Sequence, residues 1–196
     1  MYNLSTSEET VIISSKSAFA PKIHGDRIIW CETFKEDTSI VEDLTNFLKS
    51  SVRKIIEFII RFPVGPHNPD DIKCNIWLYN LSTQEKTQIA TRESYNAVPK
   101  IYGDNVVWEG SSDINGTFDL CLYNLSIQKK TQITTSGSAI APIIYGDRII
   151  YGDFSSGEHE THMYDLSLSR EVPLPRNDSW QGAYAIYEDK LVIFHS

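Results

Sequence analysis

Apolar residues in this chain gather in short unbroken runs instead of recurring at helical spacing. Ile28-Ile29-Trp30, Val106-Val107-Trp108, Ile149-Ile150-Tyr151 and Leu191-Val192-Ile193 are four such runs. Each is preceded by a polar residue and, before that, by Gly25-Asp26, Gly103-Asp104, Gly146-Asp147 or the variant Glu188-Asp189. A sheet with one wet face would alternate apolar and polar residues, so continuous runs bounded by turn residues predict strands covered on both faces. The Gly-Asp pair is a two-residue hairpin signal, in which glycine supplies a positive φ.

These runs belong to a longer phrase that returns as "IHGDRIIW" at 23–30, "IYGDNVVW" at 101–108, "IYGDRIIY" at 144–151 and "IYEDKLVI" at 186–193. The intervals between copies are 78, 43 and 42 residues. A second phrase keeps the same beat: "MYNLST" from Met1, "LYNLST" from Leu78, "LYNLSI" from Leu122 and "MYDLSL" from Met163. "TQIA" and "TQIT" follow at Thr87 and Thr131, with "TVII" and "EVPL" in their place elsewhere. Each unit therefore reads as four short strands: "APKIY"-like, "NVVW"-like, "DLCLYNL"-like and "TQIT"-like. Small four-stranded sheets repeating every ~40–45 residues and stacking face to face predict a β-propeller. The expectation is one all-β domain over residues 1–196, a small propeller of four four-stranded blades. Residues 1–13 would close the blade begun by 183–195, which removes exposed sheet edges. Two chains exchanging halves into an eight-bladed dimer is the alternative closure.

The combined pattern, P-x-I-Y-G-D-x-I-I-W followed by D-L-x-L-Y-N-L-S-T and T-Q-I-T, resembles the TolB-like propeller repeat. The version it is similar to is the one abundant in surface proteins of methanogenic archaea. The resemblance covers all but about residues 33–73 and is most specific over 97–134 and 141–174. The last copy departs from it, with Glu188 for glycine and Ala183-Tyr184 for Ala-Pro. It implies a ring-shaped binding scaffold, usually of six or more blades and often outside the cell, and it implies no reaction.

The first interval carries roughly 35 residues more than a repeat of this class requires. The excess, residues 33–73, falls between the second and third strands of the first full blade and is flanked by Cys31 and Cys74. Leu44, Leu48, Val52, Ile55, Ile59 and Phe62, with Val41, are spaced three and four apart, and Phe47, Ile56, Phe58 and Ile60 widen the stripe. That spacing predicts an amphipathic helix with one broad apolar face. Ser39 and Glu42 form a capping-box start, and Pro63 ends the helix. Three fates suit the face: a lid on its own propeller, pairing with a second copy, or lying in a membrane surface through residues 40–62. Lys49, Arg53, Lys54 and Arg61 encourage the last. Cys31 and Cys74 would be bridged in an oxidising compartment or remain half-buried thiols; Cys121 reads as core.

A net charge of −8 argues against a nucleic-acid partner, since nothing would replace the counterions of the phosphates. The amino terminus carries no basic-apolar-small segment, and no eighteen apolar residues run uninterrupted. The unknown protein partner, or a second copy, would meet the rim formed by the connections around the insertion. Ser17, Tyr95, Ser138 and Trp180 are equivalent positions there, just before the innermost strands, and Asp113 and Asp153 complete the candidate set. No cofactor or metal is expected. "DINGTFD" has its glycine in the wrong place for a calcium loop, and His159 and His162 would face opposite ways on a strand. Asp113, Asp153 and Glu158 are acids that a glycan hydrolase would need in pairs. No nucleophile elbow is present, so a non-enzymatic scaffold is the main expectation. The Asn-x-Ser/Thr triplets at Asn3, Asn80, Asn124, Asn115 and Asn177 are formal glycosylation acceptors that also serve as turn makers.

Overall fold

The computed structural model describes residues 5–7, 9–15, 17–35, 72–94, 97–111, 117–174 and 181–195. The first sheet contains β1 (Ala18–His24), β2 (Arg27–Lys35), β3 (Ile72–Asn80) and β4 (Lys86–Ser94). The second contains β5 (Lys100–Tyr102), β6 (Asn105–Ser111), β7 (Phe118–Asn124) and β8 (Lys129–Gln132). The third contains β9 (Ile140–Tyr145), β10 (Arg148–Asp153), β11 (Glu160–Asp165) and β12 (Arg170–Val172). β13 (Gln181–Tyr187) and β14 (Lys190–His195) form the described part of a fourth. Each sheet is an antiparallel meander in sequence order.

The two sequence phrases recur together because they bond to each other. The residue after each Gly-Asp turn pairs with the last residue of the third strand: Arg27 with Asn80, Asn105 with Asn124, Arg148 with Asp165. The turn aspartate's carbonyl then accepts the N–H of the leucine that follows, Leu81 on Asp26 at 2.7 Å, Leu125 on Asp104 at 2.8 Å and Leu166 on Asp147 at 2.7 Å. The Asn or Asp side chain bends the chain onward. Asn80 Oδ1 accepts the N–H groups of Ser82 and Thr83, Asn124 Oδ1 those of Ser126 and Ile127, and Asp165 Oδ1 those of Ser167 and Leu168. Asn80 and Asn124 are therefore turn makers, bonded as Asx turns.

The second strands hold the core. Ile29, Trp30, Val106, Val107, Trp108, Ile149 and Ile150 are all fully buried. Val106 and Trp108 join Ile29, Cys31, Cys74 and Ile76 of the first sheet in one cluster. Val107, from the other face of β6, joins Leu120, Ile149 and Tyr151 in the next. β13 packs in turn on β9, β10 and β11. This is why the runs are apolar on both sides: each buried side chain gains about 1.5–3 kcal/mol against a different neighbouring sheet.

The Ala-Pro pairs of the inner strands mark bulges. The register slips between Phe19 and Lys22 of β1, and opposite Ile150–Gly152 in β9, with Ala20 at φ 51° and Ala141 at φ 52°. A bulge leaves one residue outside the ladder, and proline has no N–H to waste there.

β2 and β3 pair from Arg27–Asn80 to Lys35–Ile72, so the long connection 36–71 leaves and re-enters at one end of that ladder. The expected helix, with Leu44, Leu48, Val52, Ile55, Ile59 and Phe62, lies outside the described residues, and no helix occurs among them. The expected seam differs in its outer part. Thr10–Ile13, read as an outer strand, is not one, and Val11 is 73% exposed. An outer strand draws its hydrogen bonds from the third strand beside it; the phrase that would supply that strand, residues 1–4, lies outside the described residues.

Gly25, Gly103 and Gly146 turn the hairpins at φ +56°, +55° and +58°, and Glu188 is held at φ 53° in the same place. A side chain in this left-handed region costs about 1–2 kcal/mol. Glu188→Gly is therefore expected to raise the melting temperature by about 2–4 °C per kcal/mol recovered, and Gly103→Ala to lower it. A thermal melt of both variants checks the pair.

Candidate functional site

The strand connections gather at two ends. One end carries the Gly-Asp and Asn-Leu-Ser turns. The other carries the connections from second to third strand and from one sheet to the next, where the sequence places its candidate rim.

At that second end Asp153 and the serines bonded to it are engaged in joining sheets. Asp153, at the end of β10, is 4% exposed. Its carboxylate accepts from Ser136 Oγ, from Ser138 Oγ at 2.9 Å and from the Ser155 N–H at 2.7 Å. Ser138 also bridges Phe118 of β7 through its backbone, so it fastens the second sheet to the third. Burial alone would raise the Asp153 pKa, but the bonds from Ser136, Ser155 and Ser138 outweigh it and hold the carboxyl below its ordinary range. A general acid needs the opposite shift. Ser17 plays a similar part in the first sheet: its carbonyl accepts the Thr33 N–H at 3.1 Å, and its Oγ lies 2.8 Å from Ser15 Oγ. The structure thus brings Ser138 and Asp153 together and keeps Ser17 apart; Tyr95, Trp180 and Asp113 lie outside the described residues. Glu158 sits on an exposed turn.

Two further buried acids have roles that the sequence does not announce: Glu93 ties the first sheet to the second, and Asp119 holds the connection that leaves the second. Glu93 of β4 accepts from Trp108 Nε1 at 3.0 Å and from Lys130, both on the second sheet. Asp119 accepts from Thr134 Oγ1 at 2.9 Å, Gln132 Nε2 at 3.1 Å and the Gly137 N–H at 3.2 Å. The histidines separate as strand alternation requires. His162 stacks on Tyr151 and pairs with Glu171 and Glu160. His159 covers Gly152, where an added Cβ would meet its ring at 2.5 Å. Neighbouring β10 residues face opposite ways, so the two imidazoles lie on opposite faces. Among the described residues no group of three or more His, Cys, Asp or Glu side chains is placed to hold a metal.

The turn end presents a different arrangement. The last residue of each inner strand is aromatic: His24, Tyr102, Tyr145 and Tyr187. Their rings form one continuous row across four sheets, with centroids 4.6, 4.6 and 5.2 Å apart and tilts of 41°, 48° and 54°. Tyr187 is 61% exposed and the other three are half-buried. Inter-sheet bonds stiffen the row: Arg27 Nη1 donates to the Gly103 carbonyl at 2.9 Å and to the Asp104 carboxylate, and Arg148 Nη1 to the Glu188 carbonyl at 3.2 Å. Partial desolvation, then the bond with Tyr102, holds the Tyr145 phenol above its usual range. Two residues back along β1 and β5, on the same side as the rings, stand Lys22 and Lys100. Burial and the nearby Lys22 push the Lys100 ammonium down, with Glu109 opposing. Such a strip makes non-covalent contacts, ring edges and hydroxyls beside two cations. The sequence carries a signal for it, an aromatic residue before the turn in every copy of the repeated phrase.

No protein-family model and no curated protein matches the sequence. Solved structures do resemble it. The β-propeller domain of the Trilobed protease from Pyrococcus furiosus superposes with a TM-score of 0.62 at 11% identity, over 90% of this chain and 47% of that one. Acylaminoacyl peptidase of Pyrococcus horikoshii gives a TM-score of 0.58 at 9% identity, over 90% and 27%. TolB from Acinetobacter baumannii is a further neighbour, with a TM-score of 0.46 at 16% identity, over 63% and 35%. The chain spans less than half the length of each. With its stacked four-stranded meanders, the fold is that of a β-propeller.

Because the Asp153 pKa is depressed, its stabilising contribution is present above the ordinary carboxylate range and is lost as pH falls through the depressed value. Asp153→Ala should cost about 1.5–3 kcal/mol near neutral pH by removing the hydrogen bonds that Ser136, Ser138 and Ser155 donate to a charged, buried carboxylate. That gap between variant and parent should shrink below about pH 4. Urea unfolding at several pH values measures it; a gap independent of pH contradicts the assignment.

Proposed function

We propose that this protein is a non-enzymatic binding scaffold, a TolB-like propeller that meets its partner through the inner-strand row His24, Tyr102, Tyr145 and Tyr187. The observation that carries the reading is that row, held rigid by inter-sheet bonds while it keeps an exposed end. Asp153 and Ser138, the groups that chemistry at the other rim would use, are engaged in sheet-to-sheet bonds instead. Aromatic side chains offer large contact area at low conformational cost, which suits recognition. On the strength of the repeat phrase, we place the protein with the repeats common in methanogenic archaeal surface proteins.

The same reading extends to closure. Three sheets share one pairing register, so Asn3 is expected opposite Lys190, with the Leu4 N–H on the Asp189 carbonyl and residues 1–4 as the third strand of the last blade. Light scattering should then give the mass of one chain; twice that mass, kept when residues 36–70 are replaced by a short loop, means that two chains exchange the strand.

The binding test uses immobilised peptide and glycan arrays probed with wild type and Tyr145→Ala, after melting curves confirm that both are folded. Wild type should capture a ligand that the variant binds at least tenfold more weakly. Ligands held equally by both variants remove the row from the reading. Cleavage of a captured glycan or peptide that disappears with Asp153→Ala replaces the scaffold with a hydrolase.

A further inference from the structure

We propose that Cys31 and Cys74 are a modification site: they join in an intramolecular disulfide when the chain folds in the presence of a small-molecule disulfide. The two thiols lie on the paired central strands of the first sheet, Cys31 opposite Ile76 and Cys74 opposite Thr33. They share the face turned toward the second sheet and are both fully buried, in the cluster with Ile29, Ile76 and Trp108. They stand 43 residues apart in sequence, with the 36–71 connection between them.

The geometry is close to a bond. Diagonal neighbours in an antiparallel ladder stand about 7–8 Å apart, more than the ~4.4–6.8 Å between Cα atoms that a disulfide prefers. Here the side chains lean together until the sulfurs are 3.2 Å apart, Cys74 Sγ donating to Cys31 Sγ. Bonding needs a final approach to ~2.05 Å. Twist of the ladder favours one diagonal over the other, which makes such a lean possible.

The exchange balances without any further reactant. The Cys74 thiolate attacks one sulfur of a disulfide RSSR, forms Cys74–S–S–R and releases one thiolate. The Cys31 thiolate then attacks the Cys74 sulfur and expels the second. Two electrons and the two thiol protons pass out, and the small disulfide leaves as two RSH molecules. Timing follows from burial. In the folded chain the hydrogen bond with Cys74, and then desolvation, hold the Cys31 thiol well above its usual range, so it is protonated and unreactive. The bond therefore forms before the first and second sheets close on each other.

Oxidation also has a structural consequence. In the reduced chain the thiols form a relay, Cys74 to Cys31 and Cys31 Sγ to the Ala97 carbonyl at 2.7 Å. The disulfide has no S–H, so this donor to Ala97 is lost, and the connection leading to β5 loosens where β2 and β3 are locked. A diagonal bond is strained, and strained disulfides are reduced readily.

Wild-type protein refolded from denaturant with a reduced and oxidised glutathione couple, then unfolded, alkylated and mapped by mass, tests this. The expected product has Cys31 linked to Cys74 and Cys121 alkylated, and it melts several degrees above the reduced form. Folded reduced protein given the same oxidant should stay reduced for much longer. Cys31→Ala and Cys74→Ala should abolish the oxidant-dependent melting shift, and Cys121→Ala should retain it. Three alkylated cysteines after oxidative refolding, a link that includes Cys121, or a chain that refolds only when reduced each overturns the proposal.

Discussion

Sheets that are apolar on both faces cannot stand alone in water, and the rest of this structure follows from that condition. β6 shows it most directly. Val106 and Trp108 press into the first sheet while Val107, from the intervening position, presses into the third. Taking either neighbour away would expose fully buried side chains, each forgoing about 1.5–3 kcal/mol. Stacking is therefore the condition under which the individual sheet exists. The same demand explains why bulky Trp108 and Tyr151 occupy one repeated position: each ring fills the wedge between its own sheet and the preceding one.

A second layer of interactions sets how those sheets register. The Gly-Asp turn and the Asn-Leu-Ser turn lie at the same end, locked by a leucine N–H on the aspartate carbonyl and by Asx bonds from the Asn or Asp side chain. Because these bonds are local and repeated in three sheets, the ends of their inner strands are aligned, and with Tyr187 of β13 they bring four separate aromatic residues into one row. At the opposite end the polar groups take a different part. Glu93, Asp119 and Asp153 are buried carboxylates that earn their place through several donors each, which is the condition for charge to be tolerated in the interior. The two ends differ in what they leave available: one engages its polar groups internally, and the other presents rings.

Strand content was legible because it rests on local chemistry. The predicted "NVVW" and "DLCLYNL" runs are β6 and β7, and the two-residue hairpins fall where Gly-Asp predicts them, Glu188 included. The turn role of Asn80 and Asn124 was also readable, since an Asx turn needs only its own residue and the next three. The rim was less so. The sequence offers Ser138 and Asp153 as rim contact candidates, and the structure adds that their bond joins two sheets. Nothing in their local sequence distinguishes an acid facing solvent from one facing another sheet.

By itself the sequence determined the repeat, its four-strand unit, the two-sided burial of the second strand and the position of each turn, because all of these depend on neighbours within a few residues or on a pattern of period two. Only the tertiary structure decided which faces meet, that Glu93 of one sheet receives the Trp108 indole of the next, that Cys31 and Cys74 lie sulfur to sulfur, and that His24, Tyr102, Tyr145 and Tyr187 form a row. Those contacts join residues far apart in the chain, and their distances depend on twist, bulges and stacking summed over whole sheets.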